Sequence, residues 1–445
     1  MTGGGDASVA EFVGDLTFTD LPAQVVRDAE RCLLDLLGVA AAGQGTRLSS
    51  IAREHVVRWL PAGPGGGARL LFDGRRVSPV GAAFAGAATI DSLDAHDGHA
   101  LAKGHAGVAV LPALLALADL RSGIEGTELL TTLVLGYEVA IRAGIALHDT
   151  AGDYHSSGAW NALGAAAVGA RLLGLGTAAI DEALGIAEYH APRGPMMRCI
   201  DHPAMVKDGS AAGAAAGVCA VLLAADGFTG APAELTRHPM LWSDLGQRWR
   251  ILEQYLKPYP VCRWAHPAVD ATLRLRPDDA GDIAAVDVLT FGAATRLSCR
   301  VPSTTEQAQY SLAFPVAAAL VRGDLGLSEI SGSALADPEI LRLAESMTIR
   351  ESPAYTAGFP AIRRARVTIE LVDGRVVTAD ADGATGDPTS PLSDADLASK
   401  FHRFVHPVLG QRRADRIEAG VDALRAPGSA SQLLNDVLRG PLPRV

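Results

Sequence analysis

The feature that most constrains this chain is a succession of apolar runs rich in Ala and Gly, at 127–148, 158–173, 177–190 and 209–226, with helical spacing. Small side chains let helix backbones approach one another closely. With aromatic residues at only 5%, the interior must be filled by that approach rather than by large rings. The segment LPAQVVRDAERCLLDLLGVAAAG repeats the pattern, since Val25, Val26, Ala29, Leu33, Leu36 and Leu37 share one helical face and Asp20 and Pro22 suit its start. Gly174-Leu-Gly176 and Asp226-Gly227 punctuate successive helices. The apolar stretches 108–120 and 211–225 are interrupted or flanked by Pro112, Asp119 and Asp226, so they read as buried helices rather than membrane spans.

Beyond about residue 270 the texture changes. AAVDVLTFG at 284–292 and ARVTIELVDGRVVTAD at 365–380 are β-branched and alternating, and Asp373-Gly374 marks the second as a hairpin. Segments 306–322 and 335–347 return to helical character, and 392–410 followed by 412–438 is helical again, with Ser393 and Asp394 as capping candidates. The expectation is a mainly α protein with a helical domain over 1–268, a smaller α+β domain over 269–395, and C-terminal helices over 396–445 that pack back on the first domain. A chain of 445 residues suffices for two such cores.

A net charge of −11 without any Lys/Arg run argues against a nucleic-acid partner, so cations for an anionic substrate must be local. The five cysteines, Cys32, Cys199, Cys219, Cys262 and Cys299, are odd in number, widely spread and free of CxxC spacing. They read as reduced thiols. The opening MTGGGDASVAEF lacks a basic segment followed by an apolar one, which leads us to expect a cytoplasmic protein.

Ionisable side chains concentrate in IDSLDAHDGHALAKGHAGVAVLPALLAL, where Asp91, Asp94, His96, Asp97, His99, Lys103 and His105 directly precede an apolar helix. Helix N-termini attract anions, and neighbouring charges move histidine pKa values into a working range, so this segment is the first candidate site. Two other readings compete. Asp94 or Asp97 would merely cap the helix, or His96, His99 and His105 with a carboxylate would hold a divalent ion. His155, in DYHSSGAWNALGAAAVGARLLG, stands before another small-residue helix, where local hydrogen bonds could equally satisfy it. Lys207 in AMVKDGSAAGAAAG and Lys257 in KPYPVC are candidate carboxylate holders, against the ordinary reading of solvated lysines; Cys262 is a weaker candidate nucleophile.

Several of these segments, in order, give the chain a resemblance to the MmgE/PrpD family along nearly its whole length. They are the LPAQVVRDAERCLLDLLGVAAAG opening, the Asp-rich segment ending KGHAGVAVLPALLALAD, YHSSGAWNALGAAA, AMVKDGSAAGAAAG with DGFTG, KPYPVC with His266, and EQAQYSLAF. The family includes 2-methylcitrate dehydratases, cis-aconitate decarboxylases and iminodisuccinate epimerases. The resemblance implies an all-helical domain capped by an α+β lid, a homodimer, and a site in the cleft between domains. It implies Asp94, His105 and His155 as catalytic residues and Lys207, Lys257 and His266 as substrate-binding ones, with no cofactor and no metal.

Proton transfer at a carbon next to a carboxylate is the chemistry such residues permit, with histidines moving the proton and lysines holding the charge. The expected activity is that of a lyase, a dehydratase or decarboxylase of a small polycarboxylate. Epimerisation of an iminodisuccinate-like acid by the same transfer is the alternative, and a noncatalytic carboxylate-binding or scaffold role is the alternative of another class. Two departures stand out. His105-Ala106 replaces the family's His-Pro, with one extra residue between Asp94 and His105. Phe314 stands where cis-aconitate decarboxylases carry a site tyrosine, with Tyr310 one turn earlier, which argues against cis-aconitate itself as substrate.

Overall fold

In the computed structural model, residues 8–440 are described, apart from Gly65 and Ser122; the MTGGGDA start lies outside them. The first half is a bundle whose central helices, Gly107–Ala118, Gly126–Thr150, Gly158–Leu173 and Ser210–Ala225, pack on one another. Every residue of Gly107–Ala118 is buried, despite Pro112 within it. Backbones meet at glycines, as the small-residue runs require: a Cβ on Gly217 would lie 2.4 Å from the Ala162 carbonyl oxygen. Among the described residues one helix, Gly126–Thr150, is long and apolar enough to cross a membrane, and its apolar window is wholly buried within the protein.

A second apolar cluster takes in the chain from Val261 on, earlier than the change of texture at about 270, together with Met196 and Ile200, because the helix His266–Leu275 packs on a sheet rather than on the bundle. That sheet has the order Thr348–Glu351, Ile283–Thr290, Arg364–Leu371, Val376–Asp382. Its first pair is parallel and the others antiparallel. The hairpin turns at Asp373-Gly374, where Gly374 takes φ 86° and Asp373 accepts the Arg375 backbone N–H. The helix expected over 306–322 is broken: Thr305–Gln309 ends at Tyr310, and Ala313–Arg322 starts anew. Ser311 occupies the break, donating to the Cys299 carbonyl and accepting from the Phe314 N–H.

Ser393 caps the helix Asp394–Leu409 through a reciprocal bond with Asp396, whereas Asp394 pairs with Arg27 and Arg31. This helix lies against Ala23–Gly43, sinking Leu397, Phe401, Phe404 and Val405 into the bundle core. Its Lys400 is buried beside Asp35 at 2.5 Å and donates to the Ala95 carbonyl at 2.8 Å.

Candidate active site

The helix Pro79–Asp91 delivers the chain into a buried turn, residues 92–106, before Gly107–Ala118 begins. Asp94 and Lys103 in this turn, and Lys207 before the helix Ser210–Ala225, all take left-handed backbone angles, with φ of 52°, 53° and 51°. Such angles are unfavourable for non-glycine residues by roughly 1–3 kcal/mol each and persist where surrounding packing imposes them. The side chains of Asp94 and Lys103 line one cavity, and the Lys207 ammonium lies over the ring of Tyr310 in its wall. Asp94, Lys103, His105, Lys257, Tyr154, Asp208, Tyr255, Cys262, Arg263, Tyr310 and Arg363 line it, leaving about 30 Å³ open to water-sized occupants.

Lys257 donates to the Asp94 carboxylate at 2.7 Å and to its carbonyl at 3.0 Å, both residues buried. Burial pushes the Asp94 carboxyl up, but the Lys257 and Lys207 ammonium groups outweigh it and hold the acid below its ordinary range. Lys207 donates to Gln309 at 2.6 Å, and its ammonium lies over the Tyr310 ring, 4.6 Å from the centroid. The anion charge in the cavity is thus concentrated on Asp94, against Lys103, Lys257, Arg263 and Arg363 in the lining and Lys207 beside Tyr310.

His105 is fixed from three sides. Its Nδ1 donates to the Asp97 carbonyl, its backbone N–H donates to Ser157 Oγ at 2.9 Å, and its carbonyl accepts from Asn161 at 3.1 Å. Nε2 is left with no protein partner among the described residues and carries the lone pair. Burial, followed by the Lys257 charge, pushes the imidazole pKa down to about 3, so the ring is neutral at physiological pH. Ser157 passes its hydroxyl proton toward Asp208, whose carboxyl burial and the nearby Asp91 raise to about 8. Close approach demands glycine here: a Cβ on Gly98 would lie 2.3 Å from the Tyr255 hydroxyl and 2.8 Å from His105 Nδ1.

Two of the nominated residues lie elsewhere. His155 is half-buried beside the cavity wall, its Nδ1 bonded to the Asp153 carbonyl at 2.8 Å, and it is the adjacent Tyr154 that lines the cavity. His266 is fully buried with both nitrogens engaged, Nε2 to the Val261 carbonyl and Nδ1 to Arg263, each at 3.1 Å. It orients Arg263, which faces the cavity in its place. The Cys262 thiol is pushed up to about 12 by burial and the Asp94 charge, which leaves it protonated and unsuited to nucleophilic attack.

The MmgE/PrpD N-terminal domain profile matches residues 7–248, and the C-terminal domain profile matches residues 259–426. The chain belongs to the MmgE/PrpD family. Its relatives include the cis-aconitate decarboxylase of Aspergillus terreus, 25% identical over 98% of this chain and 97% of the relative. The cis-aconitate decarboxylase of Mus musculus is also 25% identical, over 98% of this chain and 93% of the relative. A cis-aconitate decarboxylase-like protein of Aspergillus oryzae is 26% identical, over 96% of both.

Against this family background the two sequence departures take a definite form. Phe314 is fully buried in the second apolar cluster, while Tyr310, released by the helix break, brings a phenol to the cavity. His105-Ala106 leads directly into a helix whose first residue, Gly107, packs against Tyr137 and Asp97. A metal would have to use Asp94, His96 and His105, whose ligand atoms lie within 4.8 Å of one another. Lys257 already holds one Asp94 oxygen, and the surrounding cations favour an anion over a further cation. His99 does not join that group, since it faces Glu253 at 3.3 Å and accepts the Ala102 N–H.

Sequence reasoning passed over Arg263, Arg363, Tyr255 and Asp208. Asp208 lies within the nominated AMVKDGSAAGAAAG segment, and Tyr255 and Arg263 flank KPYPVC, so adjacency was a usable signal for all three. Arg363 stands in a segment with no comparable pattern, and folding alone brings it to the cavity.

Proposed function

We propose that this MmgE/PrpD-type lyase acts on a small polycarboxylate related to cis-aconitate, releasing carbon dioxide without a metal or organic cofactor. The observation that carries the reading is a neutral histidine, with Nε2 free, in a cavity lined by Lys103, Lys257, Arg263 and Arg363, with the Lys207 ammonium over the ring of the lining Tyr310. Lys207, Lys257, Arg263 and Arg363 would hold the substrate's carboxylates and fix its orientation. As the bond to one carboxylate breaks, its electron pair passes into the neighbouring unsaturated carboxylate, where those cations stabilise the developing charge. With its proton affinity raised by the bound anions, His105 would take up a proton from solvent on Nε2 and pass that proton to the reacting carbon, returning to the neutral ring as carbon dioxide leaves. Asp94 would set the position and charge of Lys257. Relatives that are cis-aconitate decarboxylases along their full length support decarboxylation over dehydration.

Proton NMR in deuterated water, with cis-aconitate, citrate, 2-methylcitrate and iminodisuccinate as substrates, tests this directly. The expected product has lost one carboxylate and gained one deuteron. Deuterium entering a stereocentre with no other change would make the protein an epimerase instead. His105→Gln should lower kcat with the fold intact, and Lys207→Ala should raise KM. Full activity in both variants would overturn the site.

A further inference from the structure

Outside the cavity, the last two long helices carry a second group of ligating side chains that the proposed reaction does not use. His402 and His406 stand one turn apart on Asp394–Leu409, with His402 Nδ1 and His406 Nε2 facing each other at 2.7 Å. Gly410, at φ 75°, turns the chain into Gln411–Asp422, which brings Asp415 to the same place. One ligand atom from each of His402, His406 and Asp415 lies within 4.8 Å of the other two. Glu418 Oε2 lies 2.9 Å from His402 Nε2.

We propose that His402, His406 and Asp415 form a binding site for a zinc-like divalent cation, with Glu418 as the outer carboxylate that orients His402. The hydrogen bonding supplies the reason. When His402 donates Nε2–H to Glu418, its Nδ1 is left with a lone pair aimed at His406, which is the carboxylate–histidine–metal arrangement of known sites. In the metal-free protein that lone pair accepts the His406 Nε2 proton. On binding, His406 moves its proton to Nδ1 and offers Nε2 to the ion. No net proton is released.

A tetrahedral ion with metal–nitrogen distances of about 2.0–2.1 Å places its two nitrogens about 3.3 Å apart, so the rings need open only slightly. Two imidazoles and one carboxylate suit zinc, nickel or copper rather than magnesium or calcium. Arg403 and Arg416, on the same two helices, are engaged with Asp324 and Asp436, so their charges are partly neutralised. The ion would tie the two helices across Gly410, fastening the C-terminal unit that packs on the bundle. This inference does not rest on the proposed reaction.

The test is calorimetric titration of untagged, chelator-treated full-length protein with zinc chloride, with magnesium chloride as the control, alongside melting curves. Wild type should bind one zinc ion and melt at higher temperature in its presence. His406→Gln, an exposed change, should abolish both effects while leaving the metal-free melting temperature unchanged. Glu418→Gln should weaken binding roughly 10–100-fold. Turnover in chelator should be the same in all three proteins. Zinc binding that survives His406→Gln and Asp415→Asn, or a wild type whose melting zinc does not move, would overturn the proposal.

Discussion

At Lys257 the chain keeps an ammonium away from water, and Asp94 is the acid that balances it. Removing one partner of such a pair leaves an uncompensated buried charge. Lys257→Met should therefore lower stability by about 3–5 kcal/mol, whereas Lys257→Met with Asp94→Leu should recover most of that loss. Urea unfolding of the three proteins checks this, and additive losses would show that the two residues do not depend on each other. His96 makes the opposite case. It is fully buried edge-on to His105, its ring 4.5 Å from that ring, and neither of its nitrogens makes a hydrogen bond among the described residues, Nε2 lying 3.9 Å from the Asp91 carboxylate. An unsatisfied buried group is unfavourable by about 1–3 kcal/mol, so His96→Phe should raise the urea midpoint while lowering kcat. A destabilised variant would mean that His96 is satisfied by buried water. The meeting of Asp94, His105 and Lys257 at one cavity was legible in the sequence because their chemistry is packed into short segments beside helix starts. His155 and His266 carry the same chemistry in similar settings, but local hydrogen bonds absorb both rings. Arg363 was illegible because only the fold brings it to the cavity.

Among the elements, the helices were the most readable, since small apolar residues at helical spacing leave few other ways to bury a backbone. The hairpin was readable from alternation and Asp373-Gly374. The strand Thr348–Glu351 was not, because its four residues, mostly exposed at an edge, show no alternation of burial. Nor was the break at Tyr310–Leu312, which depends on Ser311 bonding to the distant Cys299 carbonyl. One close contact between helices is as specific as any side chain in the cavity. A Cβ at Gly217 would lie 2.4 Å from the Ala162 carbonyl oxygen and 2.6 Å from Ala165 Cβ, and neither is the end of a flexible side chain. Gly217→Ala must push apart Gly158–Leu173 and Ser210–Ala225, and the first of these carries the Asn161 that holds the His105 carbonyl. The expected loss is about 1–3 kcal/mol, with a fall in kcat, read by thermal unfolding and initial rates. An unchanged melting temperature would show that the helix pair can shift without loss of packing.

For the molecule as a whole, the buried acids and histidines set opposing slopes of stability against pH. Asp208 is raised to about 8, and Asp91 and Asp97 to about 7, each chiefly by burial. A raised folded-state pKa contributes stability that is complete below the unfolded value near 4 and is lost as pH climbs through the folded value. His105, depressed to about 3, acts oppositely: its contribution is complete above about 6.5 and is lost as pH falls toward 3. Between about pH 6.5 and 8 the histidine term is flat and the acids alone act, so stability should fall as pH rises. One group contributes at most about 1.4 kcal/mol per pH unit. Asp208→Asn isolates its share, because an asparagine Oδ1 can still accept the Ser157 backbone N–H while the side chain no longer ionises. Urea midpoints at pH 6.5 and 8 should drop more steeply for wild type than for Asp208→Asn. Parallel lines for the two proteins would mean that Asp208 is already ionised at pH 6.5 and that the Ser157 pair is charged when it positions His105.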